Sequence, residues 1–167
     1  GIKVITPATR RAPPEVISPR AKTHNYLNMI IADQDVRAQD PTAWAVLLDM
    51  QGNLAEGLGS NIFCVRDGEI LTPRTRNVLP GVSRATVIEL AEGLGLKVHE
   101  QDVDLFDAYT AEEVFLTSTS LCICPVQSIN GTSFKDYGIP GPVTKKISDA
   151  YVKLVGCDFV QQYLRHL

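Results

Sequence analysis

The chain has few of the features that mark several large classes of protein. No apolar run in its 167 residues approaches the roughly 20 needed to span a bilayer, and no signal peptide, internal repeat or low-complexity segment is visible. A net charge of −3 without a basic cluster argues against nucleic acid or an anionic membrane as a partner. With 44% apolar residues, the chain is long enough for one well-covered core, so we expect one continuous domain.

Cysteine and histidine are also scarce. Their spacing fits no zinc pattern, and four cysteines in a chain of this length do not suggest a disulfide scaffold. We therefore expect no metal site, reduced thiols and a cytoplasmic setting, with buried packing favoured for the second and third cysteines. The residues concerned are Cys64, Cys122, Cys124, Cys157, His24, His99 and His166.

A lysine near the start of a predicted helix is the first candidate for chemistry. Lys22 lies in the segment of residues 19–27, and an amine shielded from bulk water can hold an aldehyde cofactor as an imine. The pattern predicts a helix over residues 23–38, which puts Tyr26 one turn beyond Lys22 and its hydroxyl near the same ligand. The alternatives are a solvated surface lysine and a tyrosine used in packing.

A carboxylate in a glycine-rich segment is the second candidate. Glu56 lies within residues 54–61, where the pattern predicts a turn. A carboxylate next to a pyridine nitrogen keeps that nitrogen protonated, which makes the ring an electron sink. Together, Lys22 and Glu56 form the pair that a pyridoxal phosphate enzyme needs, although a glutamate beside glycine is often only a turn residue.

Two further segments are suited to binding an anion. Residues 78–84 form a Pro-Gly turn that leads into an amphipathic helix, with Ser83 as an early cap and the amides of Val82 and Ser83 free for a phosphate. Residues 113–120 form an apolar strand that ends in four hydroxyl residues, which can donate hydrogen bonds to phosphate or to a substrate carboxylate. The alternatives are an ordinary capped helix and a strand-end turn.

The remaining pattern mixes hairpins with single helices. This mixture favours an α+β fold with a mixed or antiparallel sheet and surrounding helices over a doubly wound parallel sheet. An extended lead-in is expected over residues 10–20, and the tail at 158–167 is left open. The predicted strands are residues 2–6, 44–50, 62–65, 69–71, 96–101 and 114–117, with a hairpin turn at 66–68, and the further helices are residues 104–109 and 142–155.

In this order and spacing, the four segments resemble the fold-type IV pyridoxal phosphate family of class IV aminotransferases. The family includes branched-chain aminotransferases, D-amino acid aminotransferases, (R)-selective amine transaminases and aminodeoxychorismate lyase. The resemblance covers essentially the whole chain and implies the large domain of the D-amino acid aminotransferase-like fold, with pyridoxal 5'-phosphate as cofactor.

The resemblance also implies a role for each site residue. The lysine holds the cofactor and moves the proton, the glutamate binds the pyridine nitrogen, the tyrosine steadies the ring oxygen and the leucine packs on the ring. Val82, Ser83 and Thr119 bind phosphate, and Thr119 and Ser120 also face the substrate. These residues are Lys22, Glu56, Tyr26, Leu79, Val82, Ser83, Thr119 and Ser120.

The expected activity is amino-group transfer between an amino acid or primary amine and a 2-keto acid, leaning toward the branched-chain and (R)-amine branches. A lyase of the aminodeoxychorismate type and a non-catalytic fragment are the alternatives. The resemblance further implies that residues 1–167 are the large cofactor-binding domain, that the family's small N-terminal domain is absent from this chain, and that the protein forms a homodimer.

Overall fold

The computed structural model describes residues 1–134, 136 and 138–165, so His166 and the end of the tail lie outside the described part. Its strands are β1 (Ile2–Ile5), β2 (Ala43–Leu48), β3 (Leu54–Gly57), β4 (Asn61–Arg66), β5 (Glu69–Pro73), β6 (Val98–Gln101), β7 (Glu113–Ser118), β8 (Cys122–Ile129) and β9 (Thr132–Ser133). Its helices are α1 (Leu27–Gln39), α2 (Val82–Gly93), α3 (Leu105–Tyr109), α4 (Pro142–Val155) and α5 (Phe159–Leu164).

The described strands form one mixed sheet. Its order is β3-β2-β1-β8-β7-β4-β5-β6, and β9 pairs with β8. An additional pairing of β3 with β4 closes six of the strands into a ring, from which β5 and β6 extend. The pairs β1–β2, β1–β8 and β5–β6 are parallel and the others are antiparallel, which confirms the predicted α+β class.

Strand β4 has an apolar core on each side. Because successive side chains of a strand point to opposite faces, Ile62 and Cys64 enter one cluster while Phe63 and Val65 enter another. Helices α2 and α4 cover the second cluster, in which Phe63 stacks on Phe115 of β7 with ring centroids 4.9 Å apart. Because both of its faces are buried, we expect β4 to hold the residues at its ends in fixed positions.

Helix α1 begins later than the sequence pattern predicts. The chain before Leu27 makes local turns instead, with Tyr26 N–H donating to the carbonyl of His24, whose φ is +60°. Tyr26 is therefore the N-cap residue of α1, and Lys22 lies outside the helix. The inference that Lys22 and Tyr26 occupy successive turns of one helix was wrong.

Four other elements were missed or left open, and two of these are β8 and β9, which are not among the predicted strands. Glu56 lies in β3 and not in a turn, and its cross-strand partner is Asn61 of β4. The tail that the pattern left open contains the short helix α5. Most other predicted strands and helices are confirmed to within one or two residues at their ends.

Candidate active site

A cavity of about 290 Å³ opens where the β3–β4 hairpin, the turn before α2 and the end of β7 meet. We call it the main cavity; it is lined by Arg11, Met29 and parts of the four segments noted in the sequence. Seven of the eight predicted site residues line it, namely Lys22, Tyr26, Glu56, Leu79, Val82, Ser83 and Thr119. Ser120 is exposed and does not line the cavity, so its assignment stays a prediction.

Glu56 is a buried carboxylate with both oxygens engaged. The residue is 4% exposed, its Oε1 accepts from Nε of Arg11 at 2.8 Å, and its Oε2 accepts from the backbone N–H of Leu79 at 2.8 Å. An ionised carboxylate can accept about four hydrogen bonds, so capacity is left on each oxygen. A further donor in the cavity can therefore share this carboxylate.

Three positive or donating groups act on the charge of Glu56. Burial raises the pKa of Glu56, while the Leu79 N–H, the Arg11 guanidinium and the charge of Lys22 act to lower it. Lys22 is thus close enough to interact electrostatically with Glu56. The carboxylate is desolvated, and Arg11 and Lys22 both favour its charged form.

Both backbone polar groups of Leu79 are hydrogen-bonded to side chains. Its N–H donates to Glu56, and its carbonyl accepts from Nδ2 of Asn61 at 2.9 Å. Glu56 and Asn61 are opposite each other across the β3–β4 pair, so the strand register fixes the turn. At Gly81 an added Cβ would collide with Oδ1 of Asn61, and only glycine permits this approach.

The beginning of α2 lies at the main cavity. The first N–H groups of a helix have no partner within it, and Val82 and Ser83 are the first two residues of α2. The helix is capped by Gly81 without a side-chain hydrogen bond, so the expectation that Ser83 is an early cap was wrong. The Ser83 hydroxyl instead donates to the carbonyl of Ser118 at 3.0 Å, which ties α2 to the end of β7.

The end of β7 carries the hydroxyl cluster. Oγ1 of Thr117 is buried and has no hydrogen-bond partner among the described residues, although Thr117 lines the cavity. Oγ of Ser118 accepts from the backbone N–H of Leu121 at 3.0 Å and lies 3.2 Å from Oγ of Ser120. Ser118 and Ser120 thus shape the turn, which leaves Thr119 exposed at the cavity.

Lys22 and Tyr26 form the outer wall of the cavity. Lys22 is exposed and Tyr26 is half-buried, both on the segment that precedes α1.

No group of three or more potential metal ligands occurs among the described residues. In the same part of the chain, no helix is both long and apolar enough to cross a membrane.

Sequence reasoning missed two residues of the site. Asn61 is the last residue of the glycine-rich segment noted in the sequence. Its position next to Glu56 could therefore have been predicted from that segment. Arg11 lies in a proline-rich lead-in with no motif around it, and it contacts Glu56 across 45 positions of the chain. No local pattern would have found it.

Comparison with known proteins agrees with this arrangement. The family model for amino-transferase class IV matches residues 2–129. The branched-chain-amino-acid aminotransferase of Escherichia coli K12 is 37% identical over 156 residues, which are 92% of this chain and 50% of that protein. The Pseudomonas aeruginosa enzyme of the same name is 36% identical over 156 residues, which are 93% of this chain and 50% of that protein.

Solved structures give the same result. A branched-chain amino acid aminotransferase from Thermobaculum terrenum, described as the PLP form, superposes with a TM-score of 0.87 at 38% identity, over 95% of this chain and 52% of that one. The Escherichia coli enzyme gives a TM-score of 0.87 at 36% identity, over 92% and 52%. The chain thus spans about half the length of the relatives it matches. The chain belongs to the class IV aminotransferase family.

Proposed function

We propose that this chain is the cofactor-binding part of a pyridoxal phosphate-dependent aminotransferase that moves an amino group between an amino acid and a 2-keto acid. One observation carries the proposal. A single cavity joins a lysine amine, a buried carboxylate and the free amides of a helix N-terminus, contributed by Lys22, Glu56 and α2.

The residues fit this cofactor group by group. The ring nitrogen needs an anionic acceptor, which Glu56 provides with spare lone pairs. The phosphate needs several donors, which the amides of Val82 and Ser83 and the hydroxyl of Thr119 supply at the same cavity. The buried Oγ1 of Thr117, with no partner among the described residues, adds one more polar atom to this side.

When bound, pyridoxal phosphate acts as an electron sink that stabilises negative charge on the substrate carbon. The chain's own residues do the rest. The Nζ of Lys22 accepts and returns the proton at the reacting carbon, which requires a neutral amine. Glu56 keeps the ring nitrogen protonated, and Tyr26 orients the ring through its hydroxyl. Leu79, fixed at both of its peptide units, forms an apolar surface for one ring face.

The relatives favour a branched-chain substrate. One solved branched-chain amino acid aminotransferase, complexed with 4-methylvaleric acid, has a TM-score of 0.84 to this chain at 34% identity. Another structure under the same enzyme name holds N-(5'-phosphopyridoxyl)-L-glutamate. We infer that the whole protein transfers nitrogen between a branched-chain amino acid and 2-ketoglutarate, the keto acid that corresponds to glutamate.

We further propose that residues 1–167 are the larger domain of such an enzyme and that a smaller domain and a second subunit complete the site. Two facts support this. The chain spans about half the length of its relatives, and large apolar side chains near the cavity are exposed, among them Leu27 at 64% and Val82 at 78%. A cytoplasmic location stays a prediction from the composition.

The proposal is tested by reducing the 167-residue chain with borohydride after incubation with pyridoxal phosphate and mapping the adduct by mass spectrometry. We expect one adduct per chain, on Lys22, and none in Lys22→Ala. The matched control is Lys153→Ala, because Lys153 is an exposed lysine in the last turn of α4. Its adduct should equal that of the unmodified sequence. Equal labelling of Lys22→Ala, or adducts spread over surface lysines, would refute the assignment.

A further inference from the structure

The segment that carries Arg11 is fixed from two sides. The Arg11 N–H donates to the carbonyl of Leu48 in β2 at 2.8 Å. Asn28 of α1 accepts from the N–H of Ala12 at 2.9 Å and donates to the carbonyl of Arg10 at 2.8 Å. The backbone around Arg11 is therefore anchored to both a strand and a helix, although the segment has no regular structure of its own.

The Arg11 side chain is largely shielded from solvent and packs against the carboxylate. Its side chain is 11% exposed and that of Glu56 is 5% exposed, with Nε and Oε1 2.8 Å apart. A desolvated, hydrogen-bonded ion pair acts far more strongly than a surface pair. Removing one partner of such a pair leaves the other charge buried and uncompensated.

Arg11 also separates two cavities. A second cavity of about 270 Å³ adjoins the main one, and its lining is largely polar, including Asp49, Asn53, Arg76 and Asn77. Arg11 is the residue that the linings of both cavities share. Arg11 thus lies where the two cavities meet.

We propose that Arg11 is a positioning residue, which holds Glu56 as an oriented carboxylate and thereby sets the protonation of the cofactor's ring nitrogen. This inference rests on the proposed function. It assigns Arg11 no contact with substrate or cofactor, since it acts through Glu56. Burial raises the pKa of Glu56, and Arg11 opposes that rise.

The other groups that act on Glu56 do not replace Arg11. The Leu79 N–H is a neutral donor on Oε2, and Lys22 acts on Glu56 through its charge, the smallest of the effects on this carboxylate. Arg11 is both charged and hydrogen-bonded to Oε1. Without it, burial would raise the pKa of Glu56 further, and a neutral Glu56 would no longer supply the negative charge that keeps the ring nitrogen protonated.

Three substitutions separate charge from hydrogen bond. In Arg11→Gln the side-chain nitrogen takes the place of Nε, so the donor stays and the charge is lost. In Arg11→Lys a methylene takes that place, so the charge stays while the donor moves one atom outward. Arg11→Met removes both. Arg76→Met is the matched control, because its guanidinium pairs with the exposed Glu15 at 3.2 Å.

The readout is the pKa of Glu56, measured by carbon-13 NMR on the chain without cofactor, labelled in glutamate and assigned with Glu56→Gln. We expect the pKa to rise by about 1 to 3 in Arg11→Met, to rise less in Arg11→Gln and Arg11→Lys, and to stay the same in Arg76→Met. A folded Arg11→Met with an unchanged pKa overturns the proposal. Should Arg11→Met not fold, an unchanged pKa in both other variants overturns it equally.

A second measurement tests whether the Arg11–Glu56 pair affects the bound cofactor. With pyridoxal phosphate bound, the pH at which its absorbance changes should move in Arg11→Met and be restored in part in Arg11→Lys. A merely structural role for Arg11 would lower the thermal midpoint without moving either titration. The cofactor-free titration is independent of the adduct on Lys22, so the two proposals fail separately.

Discussion

Glu113 fixes the beginning of α4 from a neighbouring strand, and its replacement by glutamine is a sharp test of how this domain is held together. The residue is 4% exposed, its Oε1 accepts from the N–H of Val143 and its Oε2 from the N–H of Thr144, both at 2.8 Å. The helix has no side-chain cap of its own, since Gly141 occupies the cap position. A Cβ at Gly141 would collide with the Glu113 carboxylate.

The cost of Glu113→Gln follows from this geometry. The amide keeps one acceptor oxygen but turns a donor toward the second N–H, so one charge-assisted bond worth about 1.5 to 3 kcal/mol is lost. The loss of the negative charge near the helix N-terminus adds about 0.3 to 1 kcal/mol. We expect the free energy of unfolding to fall by about 2 to 4 kcal/mol, and Tm to fall by about 2 to 4 °C for each kcal/mol.

Urea unfolding followed by circular dichroism measures this change. The matched control is Glu92→Gln, which makes the same chemical change at an exposed position of α2 and should stay within about 0.5 kcal/mol of the original chain. A Glu113→Gln variant within that same margin would refute the reasoning, because the carboxylate would then contribute nothing as a cap.

Three further predictions concern the site and the core. Gly81→Ala should displace Asn61 and release the carbonyl of Leu79, so the affinity for pyridoxal phosphate, measured by fluorescence titration, should fall about ten-fold, which corresponds to about 1.4 kcal/mol; unchanged affinity would contradict the close approach. Burial raises the pKa of the Cys64 thiol to about 12, so at a mildly alkaline pH a thiol reagent should modify the exposed Cys157 and leave Cys64 protonated and unreactive. Because folding favours the protonated Cys64 thiol, stability should fall as the pH rises from about 9 toward 12, more steeply than in Cys64→Ala, and equal slopes would contradict the burial.

The sequence predicts those elements whose ends are determined by a few adjacent residues. Helix α4 begins at Pro142, immediately after Gly141, and ends before Gly156, which has a φ of +67°, and these residues are common start and stop signals. The hairpin between β4 and β5 follows from Asp67 and Gly68, both with positive φ. Such signals depend on a few adjacent residues and survive in any tertiary setting.

The parts that the sequence did not predict depend on contacts between distant residues. The first turns of the Lys22 segment look helical from their composition, yet the chain turns at His24 to line the cavity. Strand β3 has only four residues and ends in Gly57, so its pairing with β2 and β4 decides its state. The pairing of Arg11 with Glu56 spans 45 positions and has no local signature.

The single register pair that closes the ring of strands has a consequence for folding fidelity. Glu56 lies opposite Asn61 there. A slip by one residue would put Ala55 or Gly57 in that place and separate the carboxylate from both Leu79 and Arg11. A buried charge without partners costs several kcal/mol, so a misaligned ring is disfavoured by the same residue that is proposed to bind the ring nitrogen. Glu56 therefore favours the correct register of β3 over its alternatives. A chain that closes its ring of strands in this register also brings Glu56 to Arg11 and Leu79.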